Sequence, residues 1–587
     1  MTHAFARRRL ALAGMALACF SAPGVGVSDA AAQAIERNLP PAPAPAAPAI
    51  APPNALPQSQ DERPLGPNLT GVLLLGLNDP TREDPVEGVS TALVPRMNTP
   101  AAQRALRPFL GRPLSRKLIA EIEAAIARLY REAGYPFVAL STPPQPLSAG
   151  TLQIRVVEFK DGLVKVTRVK GKAAEQVRAG VRLQPGDPVA AGLLSDDLDW
   201  LNRYPFRHTE AVFSPGQSPG TTDLDLRTTL SKPWQVYAGY ANSGSASTTF
   251  DRYFIGGEIG GLIAPDSLFS YQLTASPDFF DDRGKALAEA HPSYLSQAVR
   301  GAVPFAPRQE IEFSLDHVET DAPSQAFIVR QITDEASLGY RAALSNLAAT
   351  LAGDIDLGLE AKQEQRKTFF SGVDVLSGAV EVCQLYLGWS YAGSDPLGRT
   401  LVNATLHISP GRVDARNSGA DLATFTKGRV TDADYQYLTL EISRTLRLPA
   451  GWSASSSLLA QYADRPLPDT EQLGVGGFDL VRGYTLDDGA FDSALVLRNE
   501  LRAPALQAFA GRPLLASALQ PYAFVDAGYG QDRRFGKIAR PLSTGLGADL
   551  ALGSYATLSA SAAYAVNDAA FTKGGDAFVQ VKATARY

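Results

Sequence analysis

The chain has 587 residues, with 55 lysines and arginines against 60 aspartates and glutamates. That length exceeds one ordinary domain, and the slight negative charge excludes the basic bias that nucleic-acid binding needs, so no nucleic acid is expected as a partner. Five scattered histidines show no metal-ligand spacing, and no nucleophile–base pair, phosphate loop or cofactor motif stands out, so no enzyme activity is expected.

The first 34 residues read as an export signal. Arg7, Arg8 and Arg9 precede an apolar core from Leu10 to Phe20, and Ala32-Gln33-Ala34 offers a small-x-small cleavage site. Cys19 falls inside this signal, which leaves Cys383 alone and no internal disulfide in the mature chain. No later stretch has the run of about 18 apolar residues of a membrane helix. The exported chain is therefore periplasmic, secreted or an outer-membrane barrel. Residues 35–67 hold the short segment Ile35-Glu36-Arg37-Asn38-Leu39 and then a run of prolines and alanines, which favours an extended linker over a core.

A first α+β domain spans 68–158. Val72 to Leu75 reads as a buried strand, and a short helix follows near Thr99 to Arg107. Ser115 can cap a second helix, on which Leu118, Ile119, Ile122, Ile126, Leu129 and Tyr130 recur at helical spacing up to Gly134. Phe137 to Ser141 and Leu152 to Val157 read as strands. A second domain, 159–231, repeats the order strand, helix, helix, strand, strand. Its elements are Leu163 to Val169, Ala173 to Leu183, Ala190 to Asn202, Val212-Phe213 and Leu224 to Leu230.

From 232 to 587 the period is two. Phe269, Tyr271 and Leu273 alternate with polar residues. So do Ile311, Phe313 and Leu315, then Leu385, Leu387 and Trp389, then Leu438, Leu440 and Ile442. One apolar and one polar face per strand fits an all-β transmembrane barrel with a wet lumen, and outer-membrane lipid is the partner of its apolar face. The last strand alternates up to Tyr587, and such a strand ending in an aromatic resembles the terminal strand of bacterial outer-membrane proteins, which implies insertion by the barrel assembly machinery. About 350 residues at roughly 22 per strand and loop give about 16 antiparallel strands.

Within this region a glycine-rich loop around 473–490 carries Val481, Arg482, Gly483 and Tyr484. On the strand that follows, Ala523, Val525 and Ala527 would face lipid, turning Phe524, Asp526 and Gly528 inward. By the same alternation Leu495, Leu497 and Leu501 turn Arg498 and Glu500 inward. An arginine fork suits a carboxylate, so Arg482 could grip Asp526, with Glu500 as a competing partner. The alternative is an ordinary exposed loop arginine.

Val481-Arg482-Gly483-Tyr484, Leu497-Arg498-Asn499-Glu500-Leu501 and Phe524-Val525-Asp526-Ala527-Gly528 resemble the barrel motifs of the TpsB transporters of two-partner secretion, in the Omp85 superfamily. Pro108 to Leu114, Leu129 to Tyr135 and Pro143 to Gly150 resemble the first POTRA domain of that family; Leu201 to Pro205 and Pro219 to Leu224 resemble the second. The resemblance spans nearly all of the mature chain. It implies a monomeric pore in the outer membrane of a Gram-negative bacterium, with periplasmic POTRA domains that capture a secreted TpsA-like exoprotein, and a sixth extracellular loop folded into the lumen. An Omp85-type assembly factor and a passive porin are the alternatives. Members of the family commonly begin with a helix that plugs the pore. Here Ile35 to Leu39 is barely a turn and a half, so a vestigial or absent plug is expected.

Overall fold

The computed structural model describes Glu36, Asn38 and residues 59–135, 137–281, 291–324, 326–507 and 517–587; the predicted signal peptide and most of the proline-rich stretch lie outside the described residues. Two compact units form: Pro45–Ser231, and Lys232–Tyr587, to which Glu36 and Asn38 belong.

The first half of the first unit contains β1 (Pro64–Asn68), β2 (Gly71–Leu75), β3 (Gly88–Ser90), α1 (Pro100–Leu106), β4 (Pro113–Ser115), α2 (Arg116–Glu132), β5 (Val138–Ser141) and β6 (Thr151–Glu158). Its sheet runs β3-β2-β6-β5, with β2 parallel to both neighbours, and β1 pairs with β4 in a separate ribbon. Ser115 caps α2 by accepting the Leu118 amide (3.2 Å). Leu118, Ile122, Ile126 and Tyr130 fall four residues apart, so they share one face and bury against Val72, Leu74, Leu152 and Ile154. Each such side chain contributes roughly 1.5–3 kcal/mol. The strands β1, β3 and β4 were not foreseen: each has three to five residues, too few for an alternation to register.

The second half contains β7 (Lys160–Thr167), α3 (Lys172–Gly180), α4 (Ala191–Asn202), β8 (Arg207–Pro215) and β9 (Thr221–Leu230), with the sheet order β7-β9-β8. Val177, Leu194, Leu198, Leu201, Leu224 and Leu226 form its core. Helix α3 stops at Gly180 rather than Leu183, because Arg178 donates to the carbonyls of Val181 (3.0 Å) and Leu183 (3.1 Å) and holds them outside the helix. Strand β8 outruns the expected Val212-Phe213, since it pairs with β9 over its whole length.

The second unit is a closed barrel. Its strands are β10 (Trp234–Ala241), β11 (Arg252–Gly260), β12 (Leu268–Ala275), β13 (Tyr294–Ala306), β14 (Gln309–Ser324), β15 (Phe327–Ala343), β16 (Asp354–Phe370), β17 (Val373–Asp395), β18 (Gly398–Pro410), β19 (Asp434–Arg447) and β20 (Ser453–Ala463). The loop after β20 carries the two-residue pair β21 (Leu473–Gly474) and β22 (Ala490–Phe491). Then follow β23 (Ser493–Arg502), β24 (Ser517–Gln531), the short β25 (Ile538–Ala539), β26 (Leu542–Leu552), β27 (Ala556–Ala565) and β28 (Ala577–Arg586). Setting aside β21, β22 and β25, sixteen antiparallel strands close the wall, and a helix α5 (Gly419–Phe425) lies in the loop before β19.

Strand β28 returns to β10, from Tyr237 opposite Arg586 to Ala241 opposite Lys582. Val236 and Tyr587 exchange both backbone hydrogen bonds, and the Tyr587 ring lies 5.8 Å from that of Trp234. Closure leaves no free sheet edge. Leu315, Leu338, Leu359, Leu385 and Leu495 face outward and are exposed, whereas Asp316, Glu364, Gln384 and Asp526 face inward and are buried.

Candidate functional site

The loop from Asp464 to Asp492 folds back against the inner wall. Arg482 is 3 % exposed at its side chain. Its Nε donates to Asp526 Oδ2 (2.6 Å) and its Nη2 to Asp526 Oδ1 (2.8 Å), while Nη1 reaches Glu500 Oε1 (2.6 Å). The guanidinium also lies 3.7 Å over the Phe524 ring. Glu500 is thus not a competitor: one fork holds both carboxylates. Fixed donors in a plane suit this two-acid grip, which a lysine could not reproduce. Arg502 meets the other oxygen of Glu500 (2.7 Å), and Arg498 donates to the loop carbonyl of Asp479 (2.7 Å).

Two glycines let the loop approach the wall. Gly483 has φ +86, a left-handed conformation, and a Cβ there would lie 3.0 Å from the Ala563 Cβ. A Cβ on Gly528 would meet Pro541 at 2.7 Å and the Val481 side chain at 3.0 Å. Val481 and Tyr484 are fully buried with Leu480, Val496 and Ala565. The Tyr484 hydroxyl lies 3.0 Å from the Leu542 carbonyl and 2.7 Å from that of Asn567, tying the loop to the strands after Asp526. All seven residues singled out on the loop and its facing strand therefore meet in one place, with Arg498 and Glu500 beside them.

Several residues of the site had not been singled out. Glu471, fully buried, accepts from Tyr437 Oη (2.6 Å) and Gln384 Nε2 (2.9 Å) and pairs with Lys362 Nζ (2.9 Å). Asp469 pairs with Arg366 (3.1 Å) and Arg429. Asp488 accepts the amides of Phe571 (2.8 Å) and Thr572 (2.7 Å). A signal existed: Glu360, Lys362, Glu364 and Arg366 occupy successive inward positions of β16, an alternation of charge where a spacer strand needs only small polar residues.

Of the short segment for which a vestigial or absent plug was expected, only Glu36 and Asn38 lie within the described residues, and both are held by the barrel wall. Arg252, fully buried on β11, donates to Glu36 through Nε (2.9 Å) and Nη2 (2.7 Å) and stacks on the Tyr294 ring (4.1 Å). Tyr294 Oη donates to the Glu36 carbonyl (2.6 Å), and Gln272 Nε2 to that of Asn38 (3.1 Å). A buried arginine needs a carboxylate, and Glu36 supplies it from 216 residues away in the sequence. The folded loop therefore shares the lumen with this segment.

Residues 220–552 match the family of haemolysin secretion/activation proteins ShlB/FhaC/HecB, and residues 85–158 match the ShlB-type POTRA domain. The chain belongs to this family. It is 22 % identical over 404 residues to the outer membrane transporter CdiB of Dickeya dadantii, covering 68 % of each chain. It is 25 % identical over 458 residues to the haemolysin transporter protein ShlB of Serratia marcescens, covering 71 % of this chain and 72 % of that one. CdiB from Escherichia coli shares the fold, with a TM-score of 0.65 at 15 % identity over 92 % of this chain and 94 % of that one. Like other ShlB-family transporters of two-partner secretion, the chain is an outer-membrane β-barrel with periplasmic POTRA sequence, and the family moves partner exoproteins.

Proposed function

We propose that this chain recognises a partner exoprotein of the TpsA type in the periplasm and passes it through the barrel to the cell surface without nucleotide hydrolysis. The observation that carries this reading is the Arg482 fork on Asp526 and Glu500: a loop fastened inside the lumen of a family transporter. We read Val481 to Tyr484 as an internal latch and Phe524, Asp526 and Gly528 as its seat. Residues 68–158 and 159–231 act as two POTRA domains, and an exposed sheet edge such as β5 can add a strand of unfolded client. The closed sheet lets the barrel work as a monomer in lipid, and Tyr587 serves its insertion by the barrel assembly machinery. Folding of the client outside supplies direction.

Arg482→Ala lowers secretion of the partner at least tenfold while the barrel still migrates as a folded, heat-modifiable species; unchanged secretion sinks the latch. Deleting the gene removes one large exoprotein from the medium. Loss of several outer-membrane barrels instead would support the assembly-factor reading, and loss of neither would support a porin.

A further inference from the structure

The loop is fastened at two places, and the two differ in what happens to the wall when the loop leaves. At the later anchor, every hydrogen bond of the Asp526 carboxylate goes to Arg482, from its backbone amide, Nε and Nη2. Asp526 is fully buried, so withdrawing Arg482 takes away every hydrogen bond of that carboxylate, although Arg498 stays opposite it on β23. At the earlier anchor the charges are reversed: the loop brings the acids, Asp469 and Glu471, and the cations are Lys362 and Arg366 on β16 with Arg429 before β19.

Arg429 keeps a second acid, Asp492 (3.3 Å), and each of the two β16 cations has a second acid two residues back on its own strand. Lys362 lies 2.9 Å from Glu471 and 3.7 Å from Glu360. Arg366 lies 3.1 Å from Asp469 and 3.0 Å from Glu364. Residues two apart on a strand share a face, so Glu360, Lys362, Glu364 and Arg366 form one inward row of alternating sign. When Asp469 and Glu471 leave, Lys362 and Arg366 keep Glu360 and Glu364, and the acids move into water. Apolar burial does not distinguish the anchors, since Leu467, Leu473 and Val475 are covered on the early limb and Leu480, Val481 and Tyr484 at the second. Charge does.

Resting on the secretion reading above, we propose that Glu471, Asp469 and the β16 row are positioning residues that make the early limb of the loop, about 464–476, its releasable end. The Arg482 end is the pivot. The lumen widens by lifting the early limb off β16 while Arg482 stays on Asp526.

The test uses thiol accessibility in the purified full chain, in a Cys383→Ser background. Thr470→Cys reports the early limb and Thr485→Cys the Arg482 end; both positions are buried. A charged methanethiosulfonate reagent is the probe. Glu471→Gln raises the modification rate of the thiol at position 470 at least tenfold and leaves that at position 485 within twofold. Tyr437→Phe, which removes the 2.6 Å hydrogen bond to Glu471 together with a longer one from Gln384 (3.3 Å), raises the rate at position 470 a few-fold and serves if the first variant does not yield a heat-modifiable barrel. Rates that rise together, a rise at position 485 alone, or no change at either position overturn the proposal. Labelling is read on resting protein, so its failure is separate from any failure of the secretion reading, which Arg482→Ala judges.

Discussion

In the first unit the core is built of fully buried apolar side chains such as Val72, Leu74, Ile122, Ile126, Leu152 and Ile154. The barrel instead buries Arg252, Glu471, Asp488, Asp492 and Asp526 on its inner side and turns Leu338, Leu359 and Leu385 outward. The same twenty side chains are sorted in opposite directions because the solvents differ. Water drives apolar groups of the periplasmic unit inward, whereas lipid accepts them on the barrel surface and leaves the charges to find partners within. The difference teaches where specificity resides. A packed apolar face is tolerant of which residue supplies the contact, but a buried charge must meet its one counter-charge, so the barrel interior is where named residues matter most.

The comparison is tested most strongly by the apolar core. Ile122→Ala destabilises the first unit by about 2–5 kcal/mol, read from the thermal unfolding of that unit in the full chain. A loss under about 1 kcal/mol would mean the α2 face is not a packed core. On the barrel the outward face is the sensitive one for charge. Leu359→Arg costs about 2–4 kcal/mol at the bilayer midplane, measured by reversible unfolding from lipid vesicles, and tolerance of that change would take Leu359 out of the lipid zone.

Two deeply buried acids break the pattern of the first unit, Asp197, which is paired with Arg182 (2.8 Å), and Asp161, which sharpens it. Asp161 is 2 % exposed, and its carboxylate oxygens have no hydrogen-bond partner among the described residues. Burial pushes its carboxyl from 3.8 up to about 6, opposed by Arg178 and aided by Asp223 and Asp187. The folded state therefore keeps a proton that the unfolded chain has shed between pH 3.8 and about 6. Stability falls as pH rises through that window, and the deficit is complete above it. At pH 7 Asp161→Asn stabilises the unit by up to about 3 kcal/mol, and the gain fades as the medium is acidified through the same range; a gain independent of pH would show that charge is not the cause. The smallest effect is local. Ser115→Ala removes the cap of α2 and costs about 1 kcal/mol, seen as a lower unfolding midpoint, with Ser115→Asp restoring most of it.

The alternation of Leu385, Leu387 and Trp389, the helical spacing of Leu118, Ile122 and Ile126, and the order strand, helix, helix, strand, strand were all readable from the chain, because each depends on neighbours a few residues away. The three short strands of the first half were not, since a three-residue strand is made by its partner and not by its own pattern. At the site, Arg482, Asp526 and Gly528 stood out through their motifs, and strand alternation oriented Asp526 and Gly528. The grip on both Asp526 and Glu500 did not, because it depends on two strands lying side by side with Arg498 opposite Asp526 and Glu500 opposite Phe524.

Sequence alone thus determined the faces: which side of each strand meets lipid, which side of α2 meets the core, and which residues point toward the lumen. These follow from the fixed periods of strand and helix. Only the tertiary structure decided the pairings across the lumen, Arg482 with Asp526 and Glu500, Lys362 with Glu471, and Arg252 with Glu36. Those partners are separated by 18 to 216 residues along the chain, and a charge finds a counter-charge at such range only when closure of the sheet fixes the distance between them.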